Sequence, residues 1–113
     1  MLTALRRLLS CHGFRVDTYG CGADLLAALE RSSRPDCLVL DLHMPGMSGF
    51  EVLEAMRKRQ LAVPVIVVTG NDEPGMEELS RRLGAVCYLK KPVDQDDLLA
   101  AITEAAAPNA RIA

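Results

Sequence analysis

The sequence predicts a doubly wound α/β domain, with a parallel sheet covered by helices on both faces. Two observations carry that expectation. Three short runs, "CLVLDL" (37–42), "VPVIVVTG" (63–70) and "AVCYL" (85–89), are apolar at successive positions rather than at every second one. Strands covered on both sides read that way. Between and around the runs lie segments with apolar residues at helical spacing, so strands and helices alternate along the chain. Strands of one sheet joined through helices run parallel, with right-handed crossovers.

In order, Leu2, Leu5, Leu8 and Leu9 mark a first helix, and Gly13 offers its C-terminal cap. "FRVDTY" (14–19) then alternates Phe14, Val16 and Thr18 with polar residues, the pattern of a short strand. Leu25, Leu26 and Leu29 mark a second helix that ends before Arg34-Pro35. After the 37–42 run, Ser48 and Glu51 stand three apart as a capping box for a third helix, whose inward stripe is Phe50, Leu53 and Met56. Met76, Leu79 and Leu83 mark a fourth helix closed by Gly84. Asp94 caps a last helix carrying Leu98, Leu99 and Ile102. The expected order is α-β-α-β-α-β-α-β-α, and the tail "AAAPNARIA" is expected to fray.

Size and composition bound the function. A chain of 113 residues, 50% hydrophobic and 25% charged, suits one compact domain with a real core. A net charge of −2 presents no basic surface for nucleic acid. No apolar run reaches the roughly 18 residues of a membrane span. The first helix carries arginines in its middle and does not read as a signal peptide, so the expected location is cytoplasmic. Cys11, Cys21, Cys37 and Cys87 lack Cys-x-x-Cys spacing, and the two inside apolar runs, Cys37 and Cys87, read as small core residues. His12 and His43 show no ligand spacing.

In sheets of this type ligands bind outside the carboxyl ends of the strands. Asp41 ends one strand, Thr69 the next, and Lys91 follows the third. A structural loop acid, a strand threonine and a surface lysine are the ordinary readings of each residue alone. Together they make a chemical set. A carboxylate can attack phosphorus, a hydroxyl can bond a phosphoryl oxygen, and an ammonium can neutralise the charge that gathers there. Gly70 leaves room for the incoming group, Met44-Pro45-Gly46 turns the acceptor loop, and Gly49 lets the next helix begin close to the sheet.

With "LVLDLHMPGMSGFEVL", a strand ending Val-Thr-Gly, and "GAVCYLKKP", the chain resembles the receiver domain of bacterial two-component response regulators. Asp41 and Thr69 are 28 positions apart and Thr69 and Lys91 are 22 apart, as that family spaces them. The resemblance covers residues 1 to 106, with 107–113 as tail, and implies a flavodoxin-like (CheY-like) fold. It implies Asp41 as phosphoacceptor, Thr69 as switch hydroxyl, Tyr88 as switch aromatic and Lys91, which directly precedes Pro92, as partner of the phosphoryl group. It further implies Mg2+, with Asp41 and the backbone carbonyl of His43 among its ligands.

The same resemblance implies a first strand ending in two acidic residues, set between "FRVDTY" and "CLVLDL". With 40 residues ahead of Asp41, that strand and its acidic pair would lie upstream of Met1. The expected sheet therefore lacks its first strand, leaving a gap or new edge pairing, and the Mg2+ site is weak. Asp72 and Glu73 lie on the rim as solvated loop acids. A start codon set too late, a truncated relic and a decoy receiver are the competing origins; the joint presence of Asp41, Thr69 and Lys91 favours the first two.

The functional expectation is a phosphorelay module. A sensor histidine kinase donates to Asp41, and the change passes to an output protein through the face made by the fourth helix, the 85–89 strand and the last helix. The alternative is a phosphorylation-independent interaction module on the same fold. An enzyme of this architecture is disfavoured, because no Gly-rich phosphate loop, Cys-x5-Arg loop or flavin-sandwiching aromatic pair occurs.

Overall fold

The structure, a computed structural model, describes residues 2–17, 19, 22–31, 36–42, 46–70, 73–91, 93–105 and 111–112. Its elements are α1 (Leu2–Cys11), β1 (Arg15–Val16), α2 (Gly22–Arg31), β2 (Leu38–Asp41), α3 (Gly49–Lys58), β3 (Val65–Thr69), α4 (Met76–Arg82), β4 (Ala85–Lys90), α5 (Gln95–Ala105) and β5 (Arg111–Ile112). β2, β3 and β4 form a parallel sheet with β3 in the middle, and all five residues of β3 are buried.

Successive side chains of a strand point to opposite faces, and the core divides accordingly. Leu38, Leu40, Val65, Val67 and Tyr88 face one apolar cluster with Leu25, Leu26 and Leu29 of α2 and Val52, Leu53 and Met56 of α3. Val39, Ile66, Cys87 and Leu89 face the other, with Leu9 of α1 and Leu98 and Ile102 of α5. The sheet is thus covered on both sides, which is why its strands read as continuous apolar runs.

Local signals set the helix ends. The Glu51 amide donates to Ser48 Oγ at 3.2 Å and the Ser48 amide to Glu51 Oε1 at 3.5 Å, the reciprocal box expected at the start of α3. Asp94 Oδ1 accepts from the amides of Asp96 and Asp97 at 2.8 and 3.2 Å ahead of α5. Gly13 and Gly84 take positive φ where α1 and α4 stop. Gly49 admits α3 against the chain after β2: its amide donates to the Leu42 carbonyl, and a Cβ there would lie 2.7 Å from Leu42 Cα and 2.9 Å from the Asp41 carbonyl oxygen.

Two expectations need correction, and the buried face of α4 is settled by the structure. On α4, Leu79 is 40% exposed, while Ser80 is fully buried. The inward stripe is Met76, Ser80 and Leu83, and the Ser80 hydroxyl donates to the Met76 carbonyl at 2.9 Å. The back-bonded hydroxyl leaves the buried serine with no unsatisfied polar group. The "FRVDTY" strand contracts to Arg15–Val16. Its Phe14 still packs on the α1 and α5 cluster, while Thr18 lies outside the described residues. The tail expected to fray contains β5, which pairs in parallel with β1, Arg15 against Arg111 and Val16 against Ile112. β1 is therefore paired to the C-terminal segment, in a ladder separate from that of β2, β3 and β4.

Cys37 is fully buried, Cys87 half-buried and Cys11 exposed, and all three are free thiols. Cys21 lies outside the described residues. Burial pushes the Cys37 thiol up from its ordinary 9.0 to about 11, aided by the charge of Asp36 and opposed by a backbone hydrogen bond at Leu38.

Two predictions follow from this packing. Gly49→Ala should lower stability by about 1–3 kcal/mol, the usual cost of forcing atoms into a filled space, read as a shift of the urea midpoint. For Cys37, the folded chain holds its proton where the unfolded chain releases it. Its contribution is complete below pH 9.0 and is lost as pH rises through about 11. Over that interval the stability of the parent should fall more steeply with pH than that of Cys37→Ala; parallel pH profiles would show the burial to be without consequence.

Candidate functional site

The three parallel strands end side by side. In the ladder Asp41 is opposite Val68 and Thr69 is opposite Lys90. The pairing runs one residue further on each side, with the Leu42 amide donating to the Val68 carbonyl at 3.1 Å and the Lys91 amide to the Thr69 carbonyl at 2.8 Å. Backbone bonds thus fix where Asp41, Thr69 and Lys91 leave the sheet, before any side chain is considered.

Lys91 crosses the end of β3. Its Nζ donates to Asp41 Oδ2, forming an ion pair between residues 50 positions apart. The two side chains are 28% and 24% exposed, so the pair is partly sheltered but open to water and small anions. Thr69 is buried beside it. Among the described residues, a Cβ at Gly70 would meet the Lys91 Cδ, at 3.6 Å, so position 70 lies against the lysine stem. Asp41 and Lys91 are therefore in contact, and Thr69 and Gly70 stand at the end of the strand between them.

Lys90 is exposed, in keeping with the alternation of side chains along β4. Tyr88 is buried on the α2 and α3 side of the sheet, two residues before Lys90. His43, Pro45 and Pro92 lie outside the described residues, as does Asp72. Glu73 is exposed, and its amide donates to Met76 Sδ at 3.1 Å.

One supporting position escaped the sequence reading. Gly22 opens α2 against the acceptor side: a Cβ there would lie 2.7 Å from Val52 Cγ2 and 3.1 Å from Met47 Cβ. Met47 follows Gly46, which takes a φ of +79°, and packs on the α2 and α3 cluster. The available signal was a glycine at the start of a helix, where a polar cap is the usual residue.

Mg2+ prefers octahedral oxygen coordination from carboxylates, phosphate and water. Among the described residues no three histidine, cysteine or acidic side chains gather to hold a metal. Asp41 is also engaged by Lys91. The described donor set does not fit the ion, although receiver domains typically bind it. No helix among the described residues is long and apolar enough to cross a membrane.

Comparison with known proteins agrees with this geometry. The family model "Response regulator receiver domain" matches residues 1–103. Protein PilH of Pseudomonas aeruginosa is 38% identical over 100 residues, covering 87% of this chain and 82% of its own. The transcriptional regulatory protein FixJ of Bradyrhizobium diazoefficiens is 35% identical over 105 residues, covering 93% of this chain but 51% of its own. Among solved structures, the CheY-like receiver domain protein of Methanospirillum hungatei superposes with a TM-score of 0.83 at 30% identity, over 91% of this chain and 82% of that one. Sheet, rim and relatives converge: the chain belongs to the response regulator receiver domain family, the phosphoacceptor modules of two-component signalling.

Proposed function

We propose that Asp41 is the phosphoacceptor, that Lys91 and Thr69 serve the phosphoryl group, and that residues 1–106 act as one receiver unit. The contact of Lys91 Nζ with Asp41 Oδ2 at an open rim carries this reading. An Asp41 carboxylate oxygen attacks phosphorus of a phosphohistidine on a sensor kinase. The O–P bond forms as the N–P bond breaks, and the imidazole leaves with a proton. Lys91 faces the phosphoryl oxygens as charge builds on them, the place where a fixed cation is most effective. Gly70 keeps the approach open, and the buried Thr69 hydroxyl turns toward the new group.

The product adds negative charge to a site that held one carboxylate and one ammonium. Lys91 then divides its attraction between carbonyl and phosphoryl oxygens, and Thr69 and Tyr88 on the neighbouring strands adjust. The output surface is the face of α4, β4 and α5. Leu79 at 40% and Val86 at 53% exposure are the large apolar side chains that α4 and β4 leave in solvent. Exposed apolar residues of this kind are suited to a partner protein. The setting is the cytoplasm, with a histidine kinase upstream and an output protein downstream.

Incubation with acetyl phosphate in a magnesium buffer, followed by intact-mass measurement, tests the assignment. The parent should gain one phosphoryl group and Asp41→Asn none. Lys91→Met should slow the gain by roughly a hundredfold, as removal of a preorganised charge-stabilising donor does. An equal gain in Asp41→Asn, with an unchanged far-ultraviolet spectrum, would place the acceptor elsewhere.

A further inference from the structure

At the end of the sheet opposite Asp41 and Lys91, by the amino ends of β3 and β4, α3, β3 and α4 frame an open cavity of about 310 Å³. Met56, Leu61, Val63, Val65 and Leu83 give it an apolar lining, and Arg57 and Arg82 stand among them. Among the described residues, no acidic side chain lines it. Its wall is set by backbone. Where α3 ends, the Leu61 amide donates to the Met56 carbonyl at 2.9 Å and the Gln60 amide to the Arg57 carbonyl at 3.2 Å, with Gln60 at a φ of +56°. Helix endings of this kind fold the residue after the turn back onto the last helical turn, and Leu61 is buried there.

The two arginines are placed differently. Arg57 Nη1 donates to the Arg82 carbonyl at 3.2 Å, reaching from α3 to the end of α4. A guanidinium carries further N–H donors beyond that one, in a fork that suits a carboxylate. The Arg82 guanidinium holds Glu78 at 3.0 Å in an ion pair whose side chains are 68% and 76% exposed, a contact that yields readily to another carboxylate. We propose that this cavity binds a small amphipathic carboxylate, its apolar body against Met56, Leu61 and Leu83 and its anionic head on Arg57. The volume is at the lower end of the range for ligand pockets, room for one small molecule. The occupant ties the end of α4 to α3.

Titration of the isotope-labelled chain with sodium octanoate, followed through amide shifts, tests the site. The shifts should saturate, centre on Val65, Leu83 and Gly84, and give a Kd at or below about 1 mM. Arg57→Gln, and Ala62→Glu, which sets an acid on an exposed residue of the lining, should each weaken octanoate by about fivefold or more. Octan-1-ol, with the chain but not the charge, should bind the parent and Arg57→Gln alike. If Arg57→Gln does not fold, Ala62→Glu decides the question. Shifts in the parent that do not saturate, octanoate binding unchanged in either variant, or octan-1-ol losing as much as octanoate in Arg57→Gln would overturn the site.

Discussion

The structure turns on an ion pair between Asp41 and Lys91, made across the end of a strand to which neither belongs. It contributes little to stability: a partly exposed pair of this kind is worth about 0–1 kcal/mol, and salt screens it. Its value lies in placement. A carboxylate that is to attack phosphorus must be unprotonated, reachable by a bulky anion, and close to a cation that stays still while charge develops. A flexible lysine on a loop meets the third condition poorly. Here the amide of Lys91 is bonded to the carbonyl of Thr69, so the stem of the lysine starts from a fixed point on the sheet.

That fixed point rests on the core. β3 is buried along its whole length, and its residues alternate between two apolar clusters that anchor α2 and α3 on one face and α1 and α5 on the other. The residues at its end inherit that immobility. Gly49 adds a second constraint, since α3 starts in contact with the backbone that carries Asp41. Asp41 is thus held from the sheet side by β3 and from the helix side by α3, while its side chain keeps 24% of its surface exposed. Rigid backbone around an accessible carboxylate is the arrangement that electrostatic preorganisation requires.

What could be read in advance followed from how local the signal was. The capping box at Ser48 and Glu51 involves residues three apart, and the structure contains it. The two-sided strands were legible because burial on both faces leaves no polar position to alternate. Asp41, Thr69 and Lys91 were legible as a group because parallel topology sends all three strand ends to one rim. The preference for Lys91 over Lys90 came from the resemblance, through its place before Pro92. The buried face of α4 was not legible, because Leu79 and Ser80 both fall within helical reach of Met76 and Leu83; the neighbours of α4 decide between the two, and they bury the serine. The partner of β1 could not be read at all. A backbone ladder between residues 15–16 and 111–112 has no side-chain signature and no sequence proximity.

The same contrast separates the parts of the molecule that hold a state from the part that can exchange one. Where side chains from three strands interlock with those of helices on both faces, as around β3, a change at one position is opposed by many contacts. In the proposed mechanism the phosphoryl group joins the end of that block, and its charge acts on Thr69 and β4 and from there on α4. On that proposal α4 is the element that responds. It has seven residues, a small buried Ser80 in place of a large apolar anchor, and an exposed Leu79. A short helix seated on a serine gives up less packing when it shifts than one seated on leucine, so displacement caused at Asp41 is more readily expressed at α4 than at α3, whose Val52, Leu53 and Met56 are buried together in the core.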